Sequence, residues 1–285
     1  MSDFVQQQNS ICDFSTSDSW VILSPIELSI KHKIEAVGTP LKDWDIQINY
    51  GIKTGFNDAF IISTEKREEI LANCKTEDER KRTAELIRPI LRGRDIKRYG
   101  YVDNGLYLIN THNGVRGRIP RIKIEDYPAV KAHLDQYWDR IATRADKGDT
   151  PYNLRNCAYL EDFFKPKITW GNLNLKGTYS YAPEGMFINA PSPFIATTNI
   201  AILHILNSTI ADYYIRSLGV TRNGGYFEYK PMFVEKLPIP QTGLDKLNSY
   251  PKQPSKKQEQ EMSTIIYQLY GLSQQEIDYL ENREL

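Results

Sequence analysis

The feature that most constrains the fold is the repeated change between short apolar runs and helical periodicity. The runs KPKITW (165–170) and FIAT (194–197) are bounded by turn residues, which is typical of short strands. Between such runs lie longer segments with an apolar residue every three or four positions. Strands and helices alternate without the regular spacing of strand–helix–strand units. The sequence therefore predicts an α+β fold with small mixed or antiparallel sheets, packed helices and a helical C-terminal part.

Helix signals stand near both ends of the chain. After a polar lead-in that extends to about Asp18, Ser24 precedes a proline and an apolar series that runs to Gly38, so we expect a capped helix there. Near the C-terminus the helical pattern breaks at Gly271. It restarts with Ser273 and Glu276 three residues later, which predicts a capping box.

Four segments predict the elements between these ends. The segment 197–219 predicts one long helix that ends at a glycine. Residues 46–63 predict two strands joined by a hairpin-like polar loop over 51–58. A charged helix is expected from 76 to about Pro89, and an amphipathic helix over 127–144 with Trp138 near its apolar face.

Cysteine and histidine usage indicates a reducing compartment and no metal site. The three cysteines Cys12, Cys74 and Cys157 lie far apart, which argues against a disulfide framework and favours the cytoplasm. No run of about 18 apolar residues exists, so we expect no membrane partner. The histidines show no metal-ligand spacing and are interpreted as surface or packing residues: His32, His112, His133 and His204.

The net charge of +0 conceals basic and acidic regions. Residues 88–99 contain several arginines and lysines against Asp95 alone, and a second basic cluster occupies 116–123. The stretch 261–285 is acidic. Phosphate attraction depends on a folded basic face and not on the sum of charges, so a nucleic-acid partner stays possible.

The motifs of a complete enzyme are missing from the sequence. No Pro-Pro pair is present for the loop that holds the amino group of a flipped base, and no glycine-rich phosphate-binding pattern occurs. Two triplets match the end of a metal-dependent nuclease motif, one from Asp95 to Lys97 and one from Glu79 to Lys81. Glu79 is expected on a solvated helix face, and Asp95 is expected to orient arginines. We therefore predict no catalytic residue, with a stand-alone DNA nuclease using Asp95 and Lys97 as an alternative.

Four local patterns together point to a family. They are GIKTGFNDAF (51–60), LIRPILRGRDIKRYG (86–100), FFKPKITWGN (163–172) and the segment 206–240. In this order and spacing they resemble the C-terminal specificity domain of TaqI-like adenine methyltransferases and of fused restriction–methylation enzymes. The resemblance extends from about Trp20 to the C-terminus.

The resemblance implies a target-recognition domain that binds double-stranded DNA. In such enzymes a separate catalytic domain binds S-adenosylmethionine and methylates the N6 amino group of a flipped adenine. That domain is absent here, so no cofactor is expected in this chain, and a methyltransferase catalytic domain or subunit is the expected partner. The predicted division is a lead-in and helix over 1–40, the recognition domain over 41–240 and a helical segment over 241–285. A protein-interaction subunit that docks on a methyltransferase is the other alternative.

The candidate DNA-binding residues come from these patterns. Arginines and lysines grip phosphates, whereas arginine can pair with guanine and asparagine with adenine. Gly93 is expected to permit a close approach, and Trp170 is expected in the core. For most candidates an ordinary turn or solvated loop remains an open alternative. The candidates are Lys53, Thr54, Asn57, Arg92, Arg94, Lys97, Arg98, Lys165, Lys167, Arg222, Asn223 and Tyr226.

Overall fold

The computed structural model describes residues 23–283, and the predicted lead-in lies outside this range. The fold is α+β, as the sequence predicts. The strands are β1 (Gly38–Pro40), β2 (Ile48–Tyr50), β3 (Ile61–Ser63), β4 (Ile87–Leu91), β5 (Ile96–Lys97), β6 (Gly100–Tyr101), β7 (Leu106–Ile109), β8 (Lys167–Trp170), β9 (Leu173–Asn174), β10 (Tyr179–Ala182), β11 (Phe187–Ile188), β12 (Pro193–Ala196), β13 (Phe227–Glu228) and β14 (Pro238–Pro240).

Helices surround these strands. The α-helices are α1 (Pro25–Val37), α2 (Asn57–Phe60), α3 (Thr64–Ala72), α4 (Glu77–Leu86), α5 (Pro128–Asp135), α6 (Trp138–Ile141), α7 (Ile200–Leu206), α8 (Thr209–Ser217), α9 (Pro231–Val234), α10 (Asp245–Asn248), α11 (Lys256–Leu269) and α12 (Gln274–Glu281). Short 3-10 turns lie at Leu41–Asp43, Gly93–Asp95, Ile124–Asp126, Leu160–Phe164 and Asn223–Gly225. Among residues 23–283 no helix is both long enough and apolar enough to cross a membrane.

A central antiparallel sheet with the order β10-β8-β12-β2 lies between two hydrophobic cores. Because successive side chains of a strand point to opposite faces, neighbouring residues of one strand can fill different cores. Ile168 and Ile195 belong to one core, which the helices α1, α7, α8 and α11 also line. Phe194, next to Ile195 in the chain, belongs to the other core. The central sheet therefore has no solvent face in its middle.

The second core is closed by a second sheet with the order β11-β4-β7-β3. The β4–β11 pair is parallel, and the β4–β7 and β3–β7 pairs are antiparallel. Val130 and Leu134 of α5 are fully buried in this second core. The two sheets and the helices packed on them thus form the scaffold from which the loops described below extend.

The two terminal helices are joined to each other. The predicted cap at Ser24 and the predicted capping box at Ser273 are both present, and Ser24 forms a capping box with Glu27 as well. Glu276 accepts a hydrogen bond from Ser29 Oγ at 2.7 Å, and Lys33 Nζ lies 2.7 Å from its second oxygen. Burial alone would raise the pKa of Glu276, but these hydrogen bonds outweigh it and lower the pKa to about 2. The carboxylate therefore fastens α12 to α1 across the sequence.

The long helix predicted over 197–219 is instead two helices, α7 and α8. The break at Asn207 serves the neighbouring strand. Asn207 Oδ1 accepts from Tyr179 N at 3.0 Å, and its Nδ2 donates to Tyr179 O at 2.9 Å. Ser208 then caps α8 through Ala211 N. A buried asparagine that satisfies the edge of a sheet overrides the helical periodicity.

Three other elements differ from the sequence predictions. The strands β2 and β3 do not form a hairpin, because they belong to different sheets. The charged helix ends at Leu86, before Pro89, and the chain continues as β4, since proline cannot stay in a helix interior. The helix over 127–144 is split into α5 and α6, and Trp138 is 45% exposed.

Replacing Gly51 by alanine is expected to lower the free energy of unfolding by about 2 kcal/mol. An added Cβ would lie 2.4 Å from Ile188 O and 2.6 Å from the Asn189 carbonyl carbon, and backbone atoms cannot give way cheaply. Urea denaturation measures the change. Gly100→Ala is the control, because its nearest neighbour is a side-chain atom of Gln253 at 4.0 Å. Equal stability of the two variants would contradict the prediction.

His204 is expected to make the protein acid-sensitive. It is fully buried between the rings of Tyr99 and Tyr250, and burial lowers its pKa from 6.5 to about 4. The folded protein binds this proton less tightly than the unfolded chain, so stability falls as the pH drops from 6.5 towards 4. At about 1.4 kcal/mol per pKa unit, the loss approaches roughly 3 kcal/mol.

Urea denaturation at pH 7 and at pH 4.5 tests the effect of His204. His204→Leu should show a clearly smaller loss between the two pH values than the wild type. His32→Leu, at an exposed position of α1, should keep the wild-type loss. The assignment fails if His204→Leu loses as much stability as the wild type.

Candidate nucleic-acid interface

The loop over 51–57 packs against the loop over 188–192. Gly51 N donates to Ser192 O at 2.8 Å, and Ile52 N donates to Ile188 O at 2.7 Å. In return Ala190 N donates to Ile52 O at 3.0 Å. Two segments that are far apart in sequence therefore form one rigid corner at the end of the central sheet.

The turn over 92–95 lies against this corner. Asn189 N donates to Leu91 O at 2.9 Å. A Cβ on Gly93 would lie 2.6 Å from Ser192 Oγ and 3.6 Å from Gly171 Cα. Gly93 therefore permits a close approach between two loops of the protein itself. The sequence alone predicts instead that it permits the approach of a DNA backbone.

The chain after Gly171 contacts the fourth sequence pattern, the segment 206–240. Asn174 Nδ2 donates to Gly171 O at 3.0 Å, and β9 pairs with β13 in the register Asn174 to Phe227. Arg216 Nη1 donates to Leu175 O at 2.7 Å, and its Nη2 donates to Gly225 O at 3.3 Å. All four sequence patterns thus meet in one continuous surface. We call it the loop band, formed by residues 51–57, 92–95, 171–176, 188–192 and 220–228.

Three cations of the loop band are exposed and without an ion pair among residues 23–283. They are Lys53, Arg94 and Lys176. Lys53 and Arg94 are candidates from the sequence, and Lys176 is an addition from the structure. An unpaired exposed cation loses no protein contact when it meets a phosphate, so these side chains are the most available anion contacts of the band.

Arg92 and Arg222 are already paired. Arg92 Nε and Nη2 donate to the two oxygens of Asp95 at 2.8 and 3.1 Å, in a bidentate arrangement. Burial would raise the pKa of Asp95, but the hydrogen bonds and charge of Arg92 lower it below its ordinary value. Arg222 lies 3.1 Å from Glu228, and 60% of its side chain is exposed. Asn223 and Tyr226 beside it are exposed as well.

Three further candidates make contacts within the protein. Lys97 Nζ donates to Arg94 O at 2.7 Å, and Lys165 lies 2.8 Å from Asp162. Arg98 Nη2 lies 2.6 Å from Glu259 of α11. Arg98 therefore joins the basic turn to the C-terminal helices, a contact that the sequence does not reveal.

Lys167 is not available to a phosphate in this structure. It is fully buried, and its Nζ donates to the carbonyl oxygens of Phe163 at 2.9 Å and Met186 at 3.1 Å. Burial lowers its pKa to about 8. The reason is its place in β8, where residues alternate between two cores and neither face meets water. Trp170 is fully buried as predicted and donates to Tyr229 O at 2.7 Å.

Thr54 and Asn57 shape their loop. Thr54 is only 2% exposed, and its Oγ1 donates to Asn57 Oδ1 at 2.6 Å while accepting from Phe56 N. Thr54 therefore stabilises the loop and is not accessible to DNA, whereas Asn57 is exposed at the start of α2. The pair fixes the turn that presents Lys53.

The structure adds a flank of arginines to the loop band, and three of them are ion-paired: Arg118 with Glu161, Arg121 with Asp149 and Arg155 with Asp146. A groove of about 470 Å³ is lined by Tyr50, Lys53, Arg155, Cys157 and Pro191 among others. Residues 156–158 also line the next groove, of about 630 Å³, which carries the arginines of the basic cluster over 116–123. Burial raises the pKa of Cys157 to about 11, so its thiol stays protonated at neutral pH.

No local signal marks Arg155 as a neighbour of Lys53. The two segments meet because Asn153, which is 1% exposed, holds its loop to the distant segments at 111–112 and 122. Its Nδ2 donates to Ile122 O at 2.9 Å. The basic cluster over 116–123 is visible in the sequence, but its place beside the loop band depends on these long-range hydrogen bonds.

The nuclease triplets have structural partners. Asp95 binds Arg92 and also accepts from Asn104 Nδ2 at 2.9 Å. Glu79 is not on a solvated face as predicted. It is 4% exposed, and it accepts from Lys75 N at 2.9 Å and Ala129 N at 3.1 Å. Within residues 23–283 no group of three His, Cys, Asp or Glu side chains could hold a metal ion.

The fold is one that restriction–modification enzymes contain. The chain resembles the structure of the type IIL restriction-modification enzyme MmeI in complex with DNA, with a TM-score of 0.57 and 13% identity over 84% of this chain and 35% of that one. It also matches the type IIG restriction endonuclease BpuSI, with a TM-score of 0.48 and 13% identity over 86% of this chain and 32% of that one. The chain thus spans about a third of each structure.

The family follows from the sequence match. Residues 88–239 match the TaqI-like C-terminal specificity domain, and the chain belongs to this family. The resemblance that the four patterns indicate is thereby confirmed. A comparison with curated protein sequences finds no match.

Proposed function

We propose that this chain recognises a sequence of double-stranded DNA for a restriction–modification enzyme. The observation that supports this most is the loop band, which joins five segments into one surface with unpaired cations. Recognition of DNA needs phosphate contacts that set the register and base-edge contacts that carry the specificity. The loop band offers both kinds of side chain on a rigid support.

The two roles fall on different parts of the loop band. Lys53, Arg94 and Lys176 contact phosphates, because no carboxylate among residues 23–283 pairs with them. Arg222 and Asn223 reach base edges, since arginine pairs with guanine and asparagine with adenine. Arg222 must then give up its ion pair with Glu228 to bind a base. Only a base that offers equally good contacts compensates for this loss, so the correct sequence is favoured over others.

The chemistry belongs to a partner. We propose that a separate catalytic domain or subunit binds S-adenosylmethionine and methylates the N6 amino group of adenine in the duplex that this chain positions. Family membership supports this assignment. The match to about a third of a larger restriction–modification enzyme supports it too. The described residues offer neither a glycine-rich strand–helix turn nor a Pro-Pro loop, so the cofactor is assigned to the partner.

The direct test is binding of a pool of random duplexes, measured by fluorescence anisotropy between 50 and 300 mM salt. We expect log Kd to rise linearly with log salt, with a slope of about 0.9 for every phosphate neutralised. Repeated selection from the pool should enrich one short motif. Absence of binding at every salt concentration, also with the partner methyltransferase added, would reject the proposal.

A second candidate is a subunit that binds a methyltransferase and contacts DNA little. Exposed acidic side chains of α11 and α12, such as Glu261 and Asp278, favour it because they suit a protein surface better than a phosphate one. Arg92→Ala together with Arg94→Ala separates the candidates. Unchanged DNA affinity of the methyltransferase complex would support the second one.

A further inference from the structure

Exposed apolar side chains gather on one ribbon of the loop band. The ribbon consists of β9, β13 and the loops that adjoin them, over 173–176 and 220–228. Its exposed apolar residues are Leu173 (51%), Leu175 (53%), Val220 (80%) and Tyr226 (42%). At such exposure these leucines leave about half of their surface in water and the valine leaves most of its own. Exposed apolar side chains that cluster in this way mark an interaction surface.

The ribbon is held rigidly from below. Asp212 is 4% exposed and accepts from Gly177 N at 2.7 Å and from Tyr229 Oη at 2.6 Å. Tyr229 N donates to Asn172 O at 2.7 Å, and Arg216 binds carbonyl oxygens on both loops. The apolar tip is therefore fixed in place before any partner arrives.

The charges around the tip match a nucleic acid. Lys176, Arg222 and Lys230 surround it, and the one carboxylate within the ribbon itself, Glu228, is shared by Arg222 at 3.1 Å and Lys230 at 2.6 Å. A stable protein–protein interface needs about 800 Å² per partner and few charges at its centre. Four apolar side chains among cations are too few for that, whereas proteins that kink DNA use such apolar wedges beside phosphate contacts.

We infer that Leu175 and Tyr226 insert between adjacent base pairs of the bound duplex and separate them. This inference rests on the proposed DNA recognition and adds a mode of distortion to it. The cations of the ribbon hold the phosphates on either side, while the apolar side chains replace the lost stacking. The chain then recognises how easily a base step opens, in addition to its base edges.

The test compares two labelled 30-bp duplexes that differ in one central step, fully paired in one and mismatched at two adjacent positions in the other. A mismatched step is already partly unstacked, so the wild type should bind it about tenfold more tightly. Leu175→Ser with Tyr226→Ser should bind both duplexes equally. Leu28→Ser with Val37→Ser, at exposed apolar positions of α1, should keep the wild-type preference.

The outcomes separate the inference from the proposed function. Equal binding of both duplexes by the wild type would overturn the wedge and leave DNA recognition in place. A preference that persists in the Leu175 and Tyr226 variant would overturn it as well. Binding of neither duplex at low salt would reject the proposed function and the inference with it.

Discussion

Removal of Lys53, Arg94 and Lys176 together is expected to weaken duplex binding about a hundredfold at moderate salt. Each of these exposed side chains is free of an ion pair among residues 23–283, so its positive charge is fully available to a phosphate. Roughly 1 kcal/mol for each charged contact gives about 3 kcal/mol for three. The slope of log Kd against log salt should fall by nearly three, since each phosphate contact contributes about 0.9.

Anisotropy titrations of the triple alanine variant at several salt concentrations measure both quantities. The control replaces Lys42, Lys81 and Lys246 by alanine, because these lysines are exposed and lie outside the loop band. It has the same change in net charge. If the control loses as much affinity as the triple variant, binding depends on overall charge and not on the loop band.

Asp212→Ala is expected to lower the free energy of unfolding by about 3 kcal/mol. The substitution leaves the hydroxyl of Tyr229 and the amide of Gly177 buried without an acceptor. Each unsatisfied buried group costs about 1 to 3 kcal/mol. Asp212→Asn should lose much less, because its amide oxygen can still accept both hydrogen bonds. The variants therefore separate the loss of hydrogen bonds from the loss of charge.

Urea denaturation at neutral pH gives the stability of both Asp212 variants. Asp245→Ala, at an exposed position of α10, is the control and should change stability little. A loss below 1 kcal/mol in Asp212→Ala would show that Asp212 does not anchor the ribbon.

Local signals in the sequence predict the parts of the fold that depend on neighbouring residues. The helix caps at Ser24 and Ser273 and the strands β8 and β12 are found where their patterns stand. The buried position of Trp170 also follows from residue type. The family assignment succeeds for a related reason, since it depends on short patterns in a fixed order.

Errors arise where a distant contact decides the outcome. Asn207 breaks a helix because it satisfies Tyr179 in a neighbouring strand. Lys167 is buried because both faces of β8 are covered, which a single strand pattern cannot show. Glu79 is buried because its carboxylate accepts a hydrogen bond from a backbone amide of α5. For the candidate site, the sequence predicts which side chains could contact DNA. It does not predict how they come together, because that depends on the loops over 188–192 and 153–158.

The central sheet has an evolutionary consequence. Ile195 and its neighbour Phe194 fill two different cores, so a shift of one residue in β12 would spoil both at once. Such a strand cannot drift in register, and the loops at its ends and at the end of β8 keep their positions. Exposed residues of those loops can therefore be exchanged without moving the scaffold. If the proposed function holds, a new DNA target would become accessible through a few surface substitutions, while the folded frame stays unchanged.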